Sequence, residues 1–436
     1  MQVMKHCRVE TFPLQPTYKQ RAALVELFDA QRHLYNAALE ERRGAWEYYK
    51  RGLSTQLPPT YYDQCKVFTQ LRQEGVAGAE YAAVYAKYGI SPARGTLDRL
   101  QKAYNNFFGR VKRGETPGYP RFKSKSRFDS VQYASGGFQV DIAQRRIKIH
   151  GIGNIRIKTH RKPRGVPKTM TIKRIGHKYV VTVAYELDKA QLQRLPKTNN
   201  PVGIDLGVAH LATTSDGVHI ANPAVGKILA DKLAKAQQEL ARHHKGSSRF
   251  RACARRVARL HRKIANARLD THHKVARRLV DRHDFIAHED LNLRNMTKSA
   301  KGTLEQPGTN VAAKSGLNRA ILDAGMGQLL RTIAYKAEEA GRQVVAVNPR
   351  HTSVTCSECG HTDKASRKSQ AVFICTGCGH SANADVNAAI NILRAGLQQA
   401  GRAGQAQRDG EATLSNAKLV SRSGDTVRSM ESGAAT

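Results

Sequence analysis

The chain has 436 residues, 40% of them hydrophobic, and carries 72 Lys and Arg against 35 Asp and Glu, a formal net charge of +37. That length admits two or three domains with real cores, and the charge excess calls for a polyanionic partner, nucleic acid above all. There is no apolar run long enough to span a bilayer, and the N-terminal stretch MQVMKHCRVETF has no apolar h-region, so neither a membrane span nor a secretory leader is expected.

In chain order, a first strand is expected over about 2–11. Tyr18 to about Arg51 reads as one amphipathic helix, because Leu24, Leu27, Phe28, Leu34, Tyr35, Ala38 and Leu39 recur at three- and four-residue steps. STQLPPT breaks the pattern at 54–60. Helices follow over about 61–87 and 93–113, the second carrying Leu97, Leu100, Tyr104, Phe107 and Phe108 before GETPGYP. From about 129 to 187 the texture turns to alternation. FQVDI, RRIKIHG, GNIRIKTH, TMTIKRIG and KYVVTVAYEL read as strands of a small antiparallel sheet or barrel, their Lys and Arg on a solvated face that could equally meet nucleic acid. The stretch DKAQLQRLPKTNNP reads as a linker, centred on 191–200.

VGIDLG, HLATTSDG and VHIAN then suggest three successive strands, followed by a basic helical region over about 227–282. DFIAHEDL looks like a buried strand ending in carboxylates, 297–315 a loose segment, 317–340 a helix and QVVAVNP a strand. The stretch beyond about 398 is rich in Gly, Ala, Ser and Gln without an aromatic residue, so 398–436 is expected to be disordered.

Seven cysteines are present, and four form C-x2-C-x15-C-x2-C at Cys356, Cys359, Cys375 and Cys378. That is metal spacing in a reducing compartment rather than a disulfide framework. Four thiolates satisfy one tetrahedral Zn2+ and leave it no open position, so the site is expected to be structural and chemistry must lie elsewhere. Cys7, Cys65 and Cys253 read as ordinary thiols.

Asp205 interrupts the apolar strand VGIDLG, where a buried unpaired carboxylate would be costly. Glu289 and Asp290 end the strand DFIAHED, and by residue type alone either could serve. Asp385 opens the helix DVNAAINIL, where it or Asn383 could be an N-cap. Acids from a first strand, a later strand end and a helix are what two-metal phosphodiester hydrolysis in an RNase H-like fold requires, with hard Mg2+ ions about 4 Å apart.

GIDLGVAHLATTSDG, HEDLNL, TSVTCSECG and CGHSANADVNAAINIL together resemble the TnpB family, transposon-encoded RNA-guided DNA endonucleases related to type V CRISPR effectors. KHCRVETFPLQPTYKQ, FDAQRHLYNAALEERRGAW, FFGRVKRGETPGYPRFKSKSRFDSVQY and AYKAEEAGRQVVAVNPRHTS extend the likeness over about 1–397. The resemblance implies a multidomain α+β chain. Its parts are an N-terminal β-barrel (1–15 and 115–190) interrupted by a helical recognition insert (16–114), then an RNase H-like RuvC α/β nuclease domain (201–350 and 380–397) with an inserted zinc ribbon (351–379). It selects Glu289 over Asp290, and so implies that Asp205, Glu289 and Asp385 hold two Mg2+ ions beside one structural Zn2+. Two positions depart from the family pattern: His288 replaces an apolar residue, and Val354 stands where Gln is usual.

The implied partners are an omega RNA-like guide and a double-stranded DNA target with a short adjacent motif, in a prokaryotic, nucleoid-associated cytoplasmic setting. Arg251, Arg255, Arg256, Arg259, Arg262 and Lys263, with Arg110, Lys112, Arg121 and Lys123, are the expected phosphate contacts. Tyr104, Phe107, Phe108, Tyr119, Phe122, Phe128 and Tyr133 are candidates for base stacking, with a core role equally open for Phe107 and Phe108. Two alternatives share the architecture: a compact type V CRISPR effector, and a binding-only RNA-guided repressor, which would normally lack one of the acids.

Overall fold

A computed structural model describes residues 6–74, 82–134, 136–159, 162–176, 178–192, 194–303 and 305–402. The expected disorder of the C-terminal stretch lies outside the described residues from 403 onward. The chain divides into two compact units, Met1–Leu192 and Gln193–Thr436.

The first unit opens with β1 (His6–Gln15) and α1 (Tyr18–Lys50), which starts in a capping box: Gln20 N donates to Thr17 Oγ1 and Thr17 N to Gln20 Oε1. The single helix expected up to 87 is two, α2 (Tyr61–Glu74) and α3 (Ala82–Tyr88), before α4 (Ile90–Lys112). Next come β2 (Ser130–Tyr133), β3 (Phe138–Asp141), β4 (Arg146–Ile149), β5 (Gly153–Ile157), β6 (Val166–Ile175) and β7 (Lys178–Leu187). All join β1 in one seven-stranded sheet of order β2-β6-β7-β1-β5-β4-β3, with every pairing antiparallel. Leu24, Leu27, Phe28, Tyr35 and Leu39 of α1 and Leu97 and Leu100 of α4 close its core against Ile147, Ile155, Ile172 and Val181. Tyr104, Phe128 and Tyr133 belong to that core and are unavailable for stacking on bases, whereas Phe108, Tyr119 and Phe122 remain exposed.

The second unit is built on five strands. These are β8 (Pro201–Asp205), β9 (His210–Thr214), β10 (His219–Ala221), β11 (Phe285–Glu289) and β12 (Gln343–Val347), in the order β10-β9-β8-β11-β12. The first three pair antiparallel; β11 lies parallel to both β8 and β12. Between β10 and β11 run α5 (Val225–Ile228), α6 (Ala230–Ala241) and α7 (Ser248–Arg282). Between β11 and β12 run α8 (Leu293–Met296), α9 (Val311–Ala324) and α10 (Met326–Ala340). The helix expected over 317–340 is thus broken at Gly325, whose φ of +64° is one that side-chain-bearing residues rarely adopt. The last helix, α11, covers 384–402 and so continues past 397, into the stretch expected to be disordered.

Strand alternation sorts the side chains between two faces. Val202, Ile204 and Ile286 point to one, against Leu279 of α7 and Leu329 and Ile333 of α10. Phe285, Ala287 and Val347 point to the other, where they meet Ile392 of α11. Gly203 lies on that second face, and a Cβ there would stand 2.1 Å from the Ala389 carbonyl oxygen and 2.7 Å from Leu393 N. The backbone of α11 therefore passes directly over Gly203. Gly203→Ala is expected to cost about 3 kcal/mol, the upper range for overpacking, because backbone rather than a flexible side chain must yield. A denaturant melt reads it; a change below about 0.5 kcal/mol would mean that α11 does not sit this close.

Candidate active site

The alternation that sends Gly203 toward α11 sends Asp205 the same way, and on β11 it sends Glu289 with Phe285 and Ala287. The parallel register pairs Gly203 with Ala287 and Ile204 with His288, so one further step sets Asp205 beside Glu289 on neighbouring strands. Asp385 occupies the first turn of α11. Asn383 is the cap: its Oδ1 accepts from Asp385 N at 3.0 Å and Val386 N at 3.2 Å, which leaves the Asp385 carboxylate free of capping. Asp205, Glu289 and Asp385 line one cavity of about 310 Å³, with Thr352, Arg367 and Gln370.

Two residues that the sequence did not single out shape this cavity. Thr352 Oγ1 donates to Glu289 Oε1 at 2.5 Å, and Arg367 Nη2 lies 3.4 Å from Asp385 Oδ1. Burial, then the charges of Glu289 and Asp385, push the Asp205 carboxyl up to about 7, against the pull of Arg367. Burial likewise raises Glu289, opposed by the Thr352 hydroxyl, Arg367 and His288. A half-buried, all-oxygen set of acids, two of which hold back the ionisation of Asp205, fits hard divalent cations such as Mg2+. Among the described residues, groups with all ligand atoms within 4.8 Å of one another are the four cysteines and Glu239, His243 and Cys253. The three acids are spread more widely than one ion would need.

The cysteines lie between β12 and α11. Around them β13 (Val372–Ile374) and β14 (Ser381–Asn383) form an antiparallel hairpin. Cys356 Sγ is 3.8 Å from Cys378 Sγ, and Cys359 Sγ is 3.6 Å from Cys375 Sγ. Metal–sulfur bonds of about 2.3 Å place tetrahedral sulfurs roughly 3.8 Å apart, so the four are spaced to bind a metal such as zinc. One face of α11 is bonded to the first knuckle. Asn387 Oδ1 accepts from Ser357 N and its Nδ2 donates to Thr355 O, both at 2.8 Å. Asn391 Nδ2 donates to the carbonyls of Thr352 at 3.0 Å and Thr355 at 2.7 Å, and Arg394 donates to Ser357 O at 2.7 Å. Residues 387, 391 and 394 thus tie the helix that carries Asp385 to the loop whose Thr352 holds Glu289.

Three family signatures match the chain: one described as "Probable transposase" over 179–300, one as "Cas12f1-like, TNB domain" over 327–392, and one as "Helix-turn-helix domain" over 8–51. InsQ of Escherichia coli (strain K12), named as a candidate RNA-guided DNA endonuclease, is 40% identical over 305 residues, covering 70% of this chain and 74% of its own. A Streptomyces pristinaespiralis protein of the same description is 31% identical over 391 residues, covering 88% of this chain and 87% of its own. The TnpB-like protein L79 of Acanthamoeba polyphaga mimivirus is 31% identical over 153 residues, covering 35% and 27%. The chain belongs to the TnpB family. The helix-turn-helix description does not fit the geometry of this TnpB chain, since 8–51 is β1 followed by α1, one uninterrupted 33-residue helix.

The expected phosphate contacts sit elsewhere. Arg251, Arg255, Arg259 and Lys263 are exposed along the first half of α7, with Arg262 half-buried and Arg256 exposed but paired to Glu239 at 3.0 Å. In the other unit Arg110, Lys112 and Arg121 are exposed, and Lys123 is half-buried with its Nζ over the Tyr35 ring. None of them lines the acid cavity.

The raised Asp205 carboxyl makes stability depend on pH. Between the ordinary 3.8 and about 7 the folded state of this TnpB protein keeps a proton that the unfolded chain has released, so stability falls as pH rises through that window. The full penalty, roughly 4 kcal/mol at most, is present above 7. Without divalent metal, Asp205→Asn is expected to melt higher than the parent at pH 8 and to lose that advantage by pH 4. Mg2+ should raise the parent's melting temperature much more at pH 8 than at pH 5. Parallel curves for parent and variant across this range would contradict the assignment.

Proposed function

We propose that this chain is an RNA-guided DNA endonuclease whose RuvC-like site is Asp205, Glu289 and Asp385, and that it serves a transposon. The observation that carries the reading is the convergence of three acids from residues 205, 289 and 385 on one cavity. Sheet order supports it too: an RNase H-like domain has a central first strand, antiparallel second and third strands on one side, and parallel later strands on the other. The barrel reading of the first unit rests on its all-antiparallel sheet. Relatives of 40% and 31% identity bear the activity in their names.

Asp205, Glu289 and Asp385 are proposed to hold two Mg2+ ions, and the four cysteines one Zn2+. When bound, the Mg2+ pair supplies activation of the attacking water and charge neutralisation at the leaving 3′ oxygen, giving 5′-phosphate ends. The protein's own groups position the reaction. Thr352 fixes one oxygen of Glu289 and leaves the other free. Arg367, beside Asp385, presents a cation where a scissile phosphate would meet the acids. The exposed Arg and Lys of α7 are suited to a heteroduplex backbone, with sequence read by the guide.

The test is to purify the protein with the RNA that accompanies it, sequence that RNA, and challenge the complex with a plasmid library. Each plasmid carries the matching target beside a randomised flank. Expected is Mg2+-dependent double-strand cleavage confined to a subset of flanks, with 5′-phosphate ends. Absence of cleavage across the whole library, with RNA retained, would remove the endonuclease reading.

A further inference from the structure

Away from the acid cavity and the four cysteines, Glu239, His243 and Cys253 bring three different metal-binding atoms within 4.8 Å of one another. Glu239 lies in the last turn of α6, and His243, four residues on, stands just past its C-cap Arg242. Residues 242–247 reverse the chain, and Cys253 returns from the start of α7 as a buried side chain. Its Sγ is 3.3 Å from Glu239 Oε1. The other oxygen, Oε2, is held at 3.0 Å by Arg256 Nη1, which orients the carboxylate while Oε1 faces the thiol.

A second observation concerns what holds α6 in place. Of its 12 residues Ala236 alone is fully buried, so apolar packing gives it little hold on α7. A cross-link at its C-terminal end would supply what the packing does not.

We propose that Glu239, His243 and Cys253 form a second metal site, for a borderline divalent ion of the zinc class, which clips α6 to α7. One oxygen, one imidazole nitrogen and one thiolate suit Zn2+ and disfavour Mg2+ or Ca2+, which take oxygen donors. Three protein ligands leave the fourth tetrahedral position to water or another exchangeable donor, unlike the closed four-cysteine site. The clip stands at the head of the α7 segment that carries Arg251, Arg255 and Arg259, so it would fix the direction of that basic surface. The inference is independent of the nuclease reading, since none of its residues lines the acid cavity.

The experiment compares bound zinc in the full chain and in a His243→Ala, Cys253→Ser double variant, both re-metallated with excess zinc and desalted. Expected are two zinc ions per chain in the parent and one in the variant, whose four ribbon cysteines are unchanged. Equal counts in the two proteins would overturn the proposal. A measurement on the parent alone covers the case of a variant that fails to fold. Stepwise Co2+ loading should show a second equivalent with tetrahedral d–d absorption and single-thiolate charge transfer, added to the four-thiolate spectrum. A titration that saturates at one equivalent, with only the four-thiolate spectrum, would overturn it equally.

Discussion

Asp205→Ala and Asp385→Ala are each expected to lower DNA cleavage by about a thousandfold or more while the copurifying RNA and target binding persist. Both side chains line the acid cavity, and neither belongs to a hydrophobic cluster. Their loss removes charge rather than packing. Asn383, not Asp385, caps α11, so the alanine at 385 leaves the helix start intact. Asp205→Ala carries an internal control, because removing a carboxyl raised to about 7 should stabilise the metal-free protein at pH 8. An inactive variant that melts higher than its parent cannot owe its inactivity to unfolding. Cleavage by either variant at more than a tenth of the parental rate would mean that the acid at that position is not required.

Loss of the metal from the four cysteines is expected to be the second large effect. The cluster at the heart of the ribbon is only Cys356, Phe373, Cys375 and Ala384, too small to fold unaided. Structural zinc sites of this type contribute on the order of 10 kcal/mol or more to folding. Without the knuckle, Asn387 and Asn391 lose their partners on Thr352, Thr355 and Ser357, and Thr352 no longer fixes Glu289. Cys356→Ser should therefore lower both the melting temperature and cleavage, the latter by about a hundredfold or more, although no cysteine lines the acid cavity. Parallel zinc analysis and nuclease assay decide it: full activity in protein with no zinc at this site would show that the ribbon does not position the acids.

What the sequence made legible was local or periodic. An acid inside VGIDLG, the apolar run of DFIAHED ending in carboxylates and the cysteine spacing each depend on neighbours a few residues away. Contacts between distant segments were not legible in the same way. Gly203 reads as one glycine in a strand until α11, almost two hundred residues on, is seen to pass over it. Thr352, inside TSVTCSECG, and Arg367, outside any quoted motif, matter through their contacts with Glu289 and Asp385, which their sequence positions did not announce. Asn383, Asn387 and Asn391 did leave a trace, three asparagines at four-residue steps from the cap into the helix. The break between α9 and α10 had one as well, in Gly325, the first glycine of DAGMGQ. The β2 strand SVQY was too short for alternation to stand out.

The position of α11 also bears on synthesis. A ribosome that has translated the first 380 residues has delivered Asp205, Glu289, the basic helices and all four cysteines, yet one face of the five-stranded sheet still lacks the helix that covers Phe285, Ala287 and Val347. Asp385 and that cover arrive together, in the last described segment of the second unit. On the proposed site, a nascent or prematurely terminated chain of that length would carry the basic helices but lack one of the three acids, and would be expected to hold nucleic acid without cutting it.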